Sequence, residues 1–293
     1  MDLSPADFSA VREKCRVYCD HPVLWEGLDH IQRTLTKLNE STEPRISNPV
    51  SFDADLAGNV PKRGYVICYT PRSGSTLLAA TLSRLTKDRY ACLGYPSEIF
   101  NPGHMEGRAA HYGCRTLDDY ARWSLWEATD ASGLFAVKGD LFQLLPFLFT
   151  PVFQSLLPNI RFVYLTREDV LLQAISLVIA HHTGRWTSEN TEYGDYAGDV
   201  EEIAANVAML TDMMAGWEKV FAFSGIRPLR LTYGDVESDL SGCVHKVARN
   251  AGVLMPSNEI NVSVGLRKTR NQKNDELRRL VIEKLSLTAQ GTV

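Results

Sequence analysis

The residues best placed to do chemistry in this chain lie in T-P-R-S-G-S-T-L-L, residues 70–78. The apolar run before them (residues 65–70, YVICYT) reads as a buried strand. Leu78, Leu82 and Leu85 after them share one helical face. Gly74 permits a tight turn and close backbone approach, and Ser73, Ser75 and Thr76 supply hydroxyls. The unpaired first amides of the helix carry the positive end of its dipole. Arg72 adds a permanent charge on a planar fork of donors. A strand, this loop and a helix together make a cradle for a phosphate-type anion. The pattern departs from GxxxxGK[ST], because Gly74 rather than a lysine precedes Ser75, and no magnesium-binding acid stands out at a strand end. An ordinary serine-rich helix start beside a surface arginine would use the same residue types.

A second basic position follows the run IRFVYLT (residues 160–166). Arg167 leads into a helix that carries Ser176 about two and a half turns later. If the strands are parallel, Arg167 and the 70–76 loop share the carboxyl edge of the sheet, where open α/β folds bind ligands. Two anion sites on one edge suit a ligand with two separate phosphate or sulfate groups. Arg167 could equally cap a helix or pair with Asp169.

The elements that must position these residues follow from periodicity. Strands are expected at 65–70, 134–138, 160–166 and 228–233, and helices at 169–182, 201–223, from 234 to about 251, and at 275–287. Strand–helix alternation predicts an α/β fold with a parallel sheet covered by helices on both faces. Residues 5–38 read as two helices separated at Pro22, with Leu24, Leu28, Ile31, Leu35 and Leu38 at helical spacing. Residues 39–63 are rich in Ser, Pro, Asn and Asp and read as a linker. The expected division is therefore a helical extension and linker at 1–58 and a larger domain at 59–293.

Composition narrows the partners. The net charge of −4 argues against a bulk nucleic-acid or anionic-membrane binder and leaves room for a local basic pocket. The six cysteines include no CxxC pair, which is the pattern of free thiols in a reducing cytoplasm, and no zinc motif occurs. Residues 1–15 contain acids and no apolar core, unlike a signal peptide. The uncharged run 141–160 is long enough for a membrane, but Pro146, Pro151 and Pro158 mark it as a buried helix-turn-helix.

The ordered pair P-R-S-G-S-T-L-L and L-T-R-x-D-x-x-x-Q-A-x-S resembles the sulfotransferases, and within them the Stf0-type bacterial group that includes trehalose 2-sulfotransferase. GYPSEIFNP (94–102), FAVK (135–138), TGRW (183–186), GIRPLRLTY (225–233) and the basic run near 267–276 also fit, so the resemblance spans roughly residues 64–285. It implies a P-loop-like sulfotransferase domain that uses 3′-phosphoadenosine 5′-phosphosulfate (PAPS). Arg72, Ser73, Gly74, Ser75 and Thr76 would hold the 5′-phosphosulfate. Arg167 and Ser176 would hold the 3′-phosphate, and Arg270 would close over the nucleotide. Glu98 in YPSEIF takes the place of the family's general base, with Ile99 where an aromatic is usual. Its carboxylate could take the hydroxyl proton if burial raises its pKa. Arg72 would stabilise charge on the leaving nucleotide, with Lys138 assisting. His104, His111, His181 and His182 are competing bases. Trp186 and His182 are expected in the acceptor wall, where Trp186 would stack on a sugar face or simply fill core. The acceptor would be a carbohydrate, a glycolipid or another small molecule. Its identity would rest on loops around 99–125 and 181–200, including the acidic tract 187–199 as a lid or a solvated loop. The resemblance also implies a homodimer. Two other readings use the same loop: a nucleotide-dependent kinase, and a non-catalytic nucleotide-binding module.

Overall fold

The computed structural model describes residues 8–40, 61–88, 90–186, 196–256 and 272–285. Four strands form its sheet: β1 (Arg63–Tyr69), β2 (Leu134–Asp140), β3 (Ile160–Thr166) and β4 (Leu229–Thr232). Their order is β2-β1-β3-β4, and all pairings are parallel. The fold is therefore α/β, as the alternation predicts. Side chains of β1 alternate between two cores. Tyr65, Ile67 and Tyr69 enter one, while Val66 and Cys68 enter the other. Because both faces are covered, the strand reads as an unbroken apolar run.

On one face lie α3 (Ser75–Lys87) and α11 (Leu240–Asn250), which supply Leu78, Leu82, Val244 and Val247. The opposite face is covered by α1 (Phe8–Tyr18), α2 (Pro22–Glu40), α5 (Leu117–Glu127), α6 (Leu141–Leu148) and part of α9 (Val200–Ser224). A third apolar cluster joins α8 (Val170–Thr183), α9 and α12 (Gln272–Leu285) through Ile175, Val178, Ile203, Leu210 and Leu277.

Two sequence expectations change. Much of 99–125, read as acceptor loops, is helical: α4 (Met105–Tyr112) and then α5. The start of α5 is a capping box, in which Thr116 Oγ1 accepts the Asp119 amide and the Asp119 carboxylate accepts the Thr116 amide. The helix expected to run from 234 to 251 is two, α10 (Tyr233–Ser238) and α11. Asp239 divides them because its side chain caps the second, accepting the Gly242 amide. The uncharged 141–160 run forms a bent helix pair as expected, α6 and α7 (Pro151–Leu156), with Leu141–Leu148 and Pro151–Asn159 at 85°; α6 is buried throughout, whereas in α7 only Phe153 is buried. No single helix among the described residues is long and apolar enough to cross a membrane.

The expected boundary near residue 58 lies outside the described residues. Across it, the N-terminal helices share a core with the sheet. Leu24, Leu28, Ile31 and Leu35 are fully buried in the cluster that holds Phe135 and Trp217. Leu28→Ala is expected to cost about 2–5 kcal/mol of stability, as large-to-small core substitutions do. Urea unfolding followed by circular dichroism and by tryptophan fluorescence should give one coincident transition. Two separate transitions would show that the N-terminal helices fold independently.

Candidate active site

The loop between β1 and α3 is held in an uncommon backbone conformation. Arg72 has φ +66°, and Gly74, the residue capping α3, has φ +86°. Side chains with a Cβ rarely sit there, and Arg72 does so where strain is typically retained for function. A Cβ added at Gly74 would also come within 3.1 Å of the Tyr233 ring. Gly74 provides no side-chain cap, so the first amides of α3 are left for another acceptor. Ser73 is fully buried and its Oγ has no hydrogen-bond partner among the described residues. Gln173 on α8 pins the start of the loop. Its Nε2 donates to Thr70 Oγ1 at 2.8 Å and to the Pro71 carbonyl at 2.6 Å. An open helix start, a buried hydroxyl without a partner and a fixed turn suit the end of a phosphate-bearing ligand.

Arginine side chains surround this turn. Arg72 Nε donates to Ser176 Oγ at 3.0 Å, and its Nη1 donates to the Trp186 carbonyl at 2.5 Å. Arg167 Nη1 donates to the Arg72 carbonyl at 3.3 Å, and its guanidinium lies 4.7 Å from the centre of the Tyr233 ring. The two expected anion sites are thus adjacent, with Arg72 spanning them. Burial, and then the positive charge of Arg167 and of Arg185, pulls the Arg72 pKa down to about 10. A bound anion would relieve that crowding. Arg167 follows β3 and Arg72 follows β1, so the group sits at the point where the strand order reverses, the usual ligand position in such sheets. Sequence reasoning did not single out Arg185 or Tyr233. Both arrive by tertiary folding from segments whose local patterns carry no anion signal.

A cavity of about 990 Å³ opens beside the loop, and Glu26, Glu98 and Asp140 are the carboxylates that line it. Ser97 forms a parallel bridge to Val137, and the Lys138 amide donates to its carbonyl at 3.0 Å, which fixes Glu98 beside the end of β2. Lys138 Nζ then meets Glu98 Oε1 at 2.8 Å and Thr76 Oγ1 at 3.3 Å, over the Tyr69 ring. Asn101 Nδ2 and Gln143 Nε2 each approach Glu98 Oε2 at 3.4 Å, and Tyr69 also hydrogen-bonds Glu98. The condition set for Glu98 as a base, a pKa raised by burial, is not met here. Desolvation does push it up, but the Lys138 charge, with hydrogen bonds from Lys138, Tyr69 and Asn101, outweighs it and holds the carboxyl below its ordinary value. Asp140 shows the reverse. Its Oδ1 accepts the Gln143 amide at 2.9 Å, and desolvation, with the Glu98 charge adding to it, pushes its pKa up to about 7.

The remaining expected residues divide. Trp186, half exposed, lines the cavity with His181 packed edge-on at 4.9 Å. Burial holds the His181 pKa below its usual value, with His182 contributing and Glu202 opposing. His182, expected in the acceptor wall, is not among the cavity-lining residues. It is drawn to Glu202 at 2.9 Å and stacks on Tyr196, because successive helical residues point in different directions. His104 lines the cavity, whereas His111 packs against Tyr112 and does not. Arg270 and residues 187–195 of the expected lid lie outside the described residues. One part of the cavity lining is apolar, with Val23 of α2, Phe142, Leu177, Met209 and Met213 joining Trp186. Val23 was unforeseen, because nothing in the local pattern of an N-terminal helix says which cavity it borders. Among the described residues, no group of three or more His, Cys, Asp or Glu side chains gathers as metal ligands do.

Residues 144–280 match the family model described as Stf0 sulphotransferase. That span contains Arg167, Ser176 and Trp186; the 70–76 loop and Glu98 fall before it. No curated protein matches the chain. Among solved structures, a similar one is the crystal structure of retinol dehydratase in a complex with retinol and PAP. It is 17% identical with a TM-score of 0.40, and the likeness covers 80% of this chain and 68% of that one. A likeness of that depth decides nothing about the site.

Lys138→Met removes the charge that keeps Glu98 ionised, and burial should then push the Glu98 pKa above its ordinary value. In the wild type, the depressed pKa contributes stability above the unfolded Glu value and loses it as pH falls through the folded value. In the variant the sign reverses, so the stability gap between the two proteins should widen from about pH 4 to about pH 7. Urea unfolding at both pH values checks this. A gap independent of pH would show that Lys138 does not hold the charge on Glu98.

Proposed function

We infer, from the match of residues 144–280 to the Stf0 sulphotransferase family model, that the protein is a PAPS-dependent sulfotransferase. The observation that carries the reading is the meeting of Arg72, Arg167 and Ser176 beside the open start of α3. Such a site suits a nucleotide with an anion at each end of its ribose. Residues 72–76 would hold the 5′-phosphosulfate, and Arg167 with Ser176 the 3′-phosphate. Arg270, by the sequence resemblance alone, would close over the nucleotide. When bound, PAPS supplies the sulfuryl group and a nucleotide leaving group.

The chain's own residues supply the rest. Arg72 and Lys138 place positive charge near the bridge oxygen, where negative charge develops as the sulfur–oxygen bond breaks. Glu98, in the position of the family's general base, receives the hydrogen of the acceptor hydroxyl. The cavity positions that hydroxyl for in-line attack. The acceptor is a hydroxyl of a carbohydrate, a glycolipid or another small molecule. The apolar wall of Trp186, Met209, Met213 and Val23 favours an acceptor with an apolar face. The setting is cytoplasmic, on the pattern of free thiols, and the assembly is a homodimer, on the resemblance.

A labelled-sulfate transfer assay over sugar, glycolipid and apolar alcohol acceptors tests the reading. Transfer by the wild type is expected, with tight binding of the 3′,5′-bisphosphate product. Glu98→Gln should lower kcat by about 100-fold or more, with nucleotide affinity nearly unchanged. Absence of both transfer and bisphosphate binding would defeat the reading. Near-normal turnover in Glu98→Gln would remove Glu98 from the chemistry.

A further inference from the structure

The N-terminal helix α2 forms one wall of the cavity. Val23, Glu26 and Gly27 line it, and their spacing puts them on one helical face, beside the stripe of Leu24, Leu28 and Ile31 that enters the core. Contacts set this face at the Glu98 end. A Cβ added at Gly27 would lie 3.8 Å from Pro102, next to Asn101, which hydrogen-bonds Glu98 at 3.4 Å. The His21 ring stacks on Phe142 at 5.3 Å, next to Gln143, which hydrogen-bonds the same carboxylate at 3.4 Å. His21 Nδ1 also accepts the Val23 amide at 3.2 Å, so one imidazole holds two apolar lining residues in place. Farther along α2, Lys37 pairs with Glu106 of α4 at 2.5 Å, and Asn39 Nδ2 donates to the Arg115 carbonyl at 3.0 Å. The helix is anchored along its length.

Two side chains on that face offer different chemistry. Val23 is 41% exposed and continues the apolar lining of Phe142, Met209 and Met213. An apolar side chain on a cavity wall is stabilised when an apolar ligand covers it. Glu26 is exposed too, and it forms no ion pair among the described residues. Arg108, which lines the same cavity, is drawn to Glu127 at 3.6 Å. A carboxylate accepts hydrogen bonds and donates none, so a group that meets Glu26 must donate. We propose that α2 selects the acceptor: its apolar body lies across Val23 and Phe142, and a second hydrogen-bond-donating group on it, a hydroxyl or an ammonium, meets Glu26. This rests on the sulfotransferase reading and names the acceptor class within it, an amphiphilic alcohol with a donor group away from the reacting hydroxyl. Helix α2 precedes the span that matches the family model, so the selection lies with the N-terminal helices and not with the matched segment.

The test uses three primary alcohols that share one alkyl chain and end in a methyl, a hydroxyl or an ammonium group. Their binding to the bisphosphate complex is measured by calorimetry, and sulfate transfer to them is followed in parallel. The wild type should favour the hydroxyl or the ammonium end over the methyl end by about tenfold. The stronger of those two distinguishes a polyol from an amino alcohol. Glu26→Ala should lose the preference. Val23→Asn should weaken binding of all three by about tenfold, because it sets a polar group against the apolar body. Both residues are exposed, so the variants are expected to fold and to bind bisphosphate as the wild type does. A wild type without the preference, a preference that survives Glu26→Ala, or binding unchanged in Val23→Asn overturns the proposal. Transfer of sulfate to any acceptor by the wild type leaves the sulfotransferase reading standing in each case. Should Val23→Asn fail to fold, Glu26→Ala still decides. Binding with the expected preferences but without transfer to any acceptor supports α2 as the selecting wall and counts against the sulfotransferase reading alone.

Discussion

A buried lysine at the end of a buried strand imposes a condition on everything around it. All seven residues of β2 are buried, and Lys138 is 7% exposed, so its ammonium has little water to solvate it. A charge in that position needs a counter-charge and hydrogen bonds. Glu98 supplies the counter-charge, and it can do so because the segment carrying it is clipped to β2 through Ser97. Lys138 also reaches Thr76 at the start of α3, so one ammonium ties the acceptor end of the cavity to the phosphate end. With Glu98 fixed as an anion, the nearby Asp140 is pushed the other way. The contrast between the two carboxyls thus follows from burial, which pushes both up, and from a cation that pairs with Glu98.

The phosphate end depends on a different constraint, the sharp reversal of the chain after β1. Left-handed backbone at Arg72 and Gly74 turns the strand into α3 without a side-chain cap. Gln173 holds the turn from α8, while Arg167 and Tyr233 close on it from the ends of β3 and β4. Arg72, Arg167 and Tyr233 each sit at or just beyond the carboxyl end of a parallel strand, and Gln173 lies on the helix that follows β3. The sheet therefore gathers residues far apart in sequence by its direction alone.

Much of this was legible beforehand because it is written locally. β3 was placed at its observed bounds, and β1 within two residues, because buried parallel strands appear as apolar runs. The loop was readable because strand, glycine-serine turn and helix are contiguous. What escaped depends on distant partners. The direction of the Glu98 pKa was left open because burial is visible in a pattern, whereas its partner Lys138 lies forty residues away. His182 was placed in the acceptor wall on proximity in sequence to Trp186, but the helix turns it toward Glu202 and leaves His181 facing the cavity. Helices α4 and α5 were read as loops although T-L-D-D at 116–119 carries a capping signal. Val23 belongs to a helix whose pattern records only that one face is buried.

The most direct test of the central claim, that one carboxyl edge holds a doubly anionic nucleotide beside a carboxylate-lined acceptor cavity, is a crystal structure with the 3′,5′-bisphosphate bound. The expected structure has the 5′-phosphate on the amides of residues 73–76, the 3′-phosphate between Arg167 and Ser176, and Lys138, Glu98 and Asp140 left facing the acceptor space. A nucleotide bound away from the 72–76 turn, or one whose phosphates fill the space in front of Glu98 and Asp140, would contradict it.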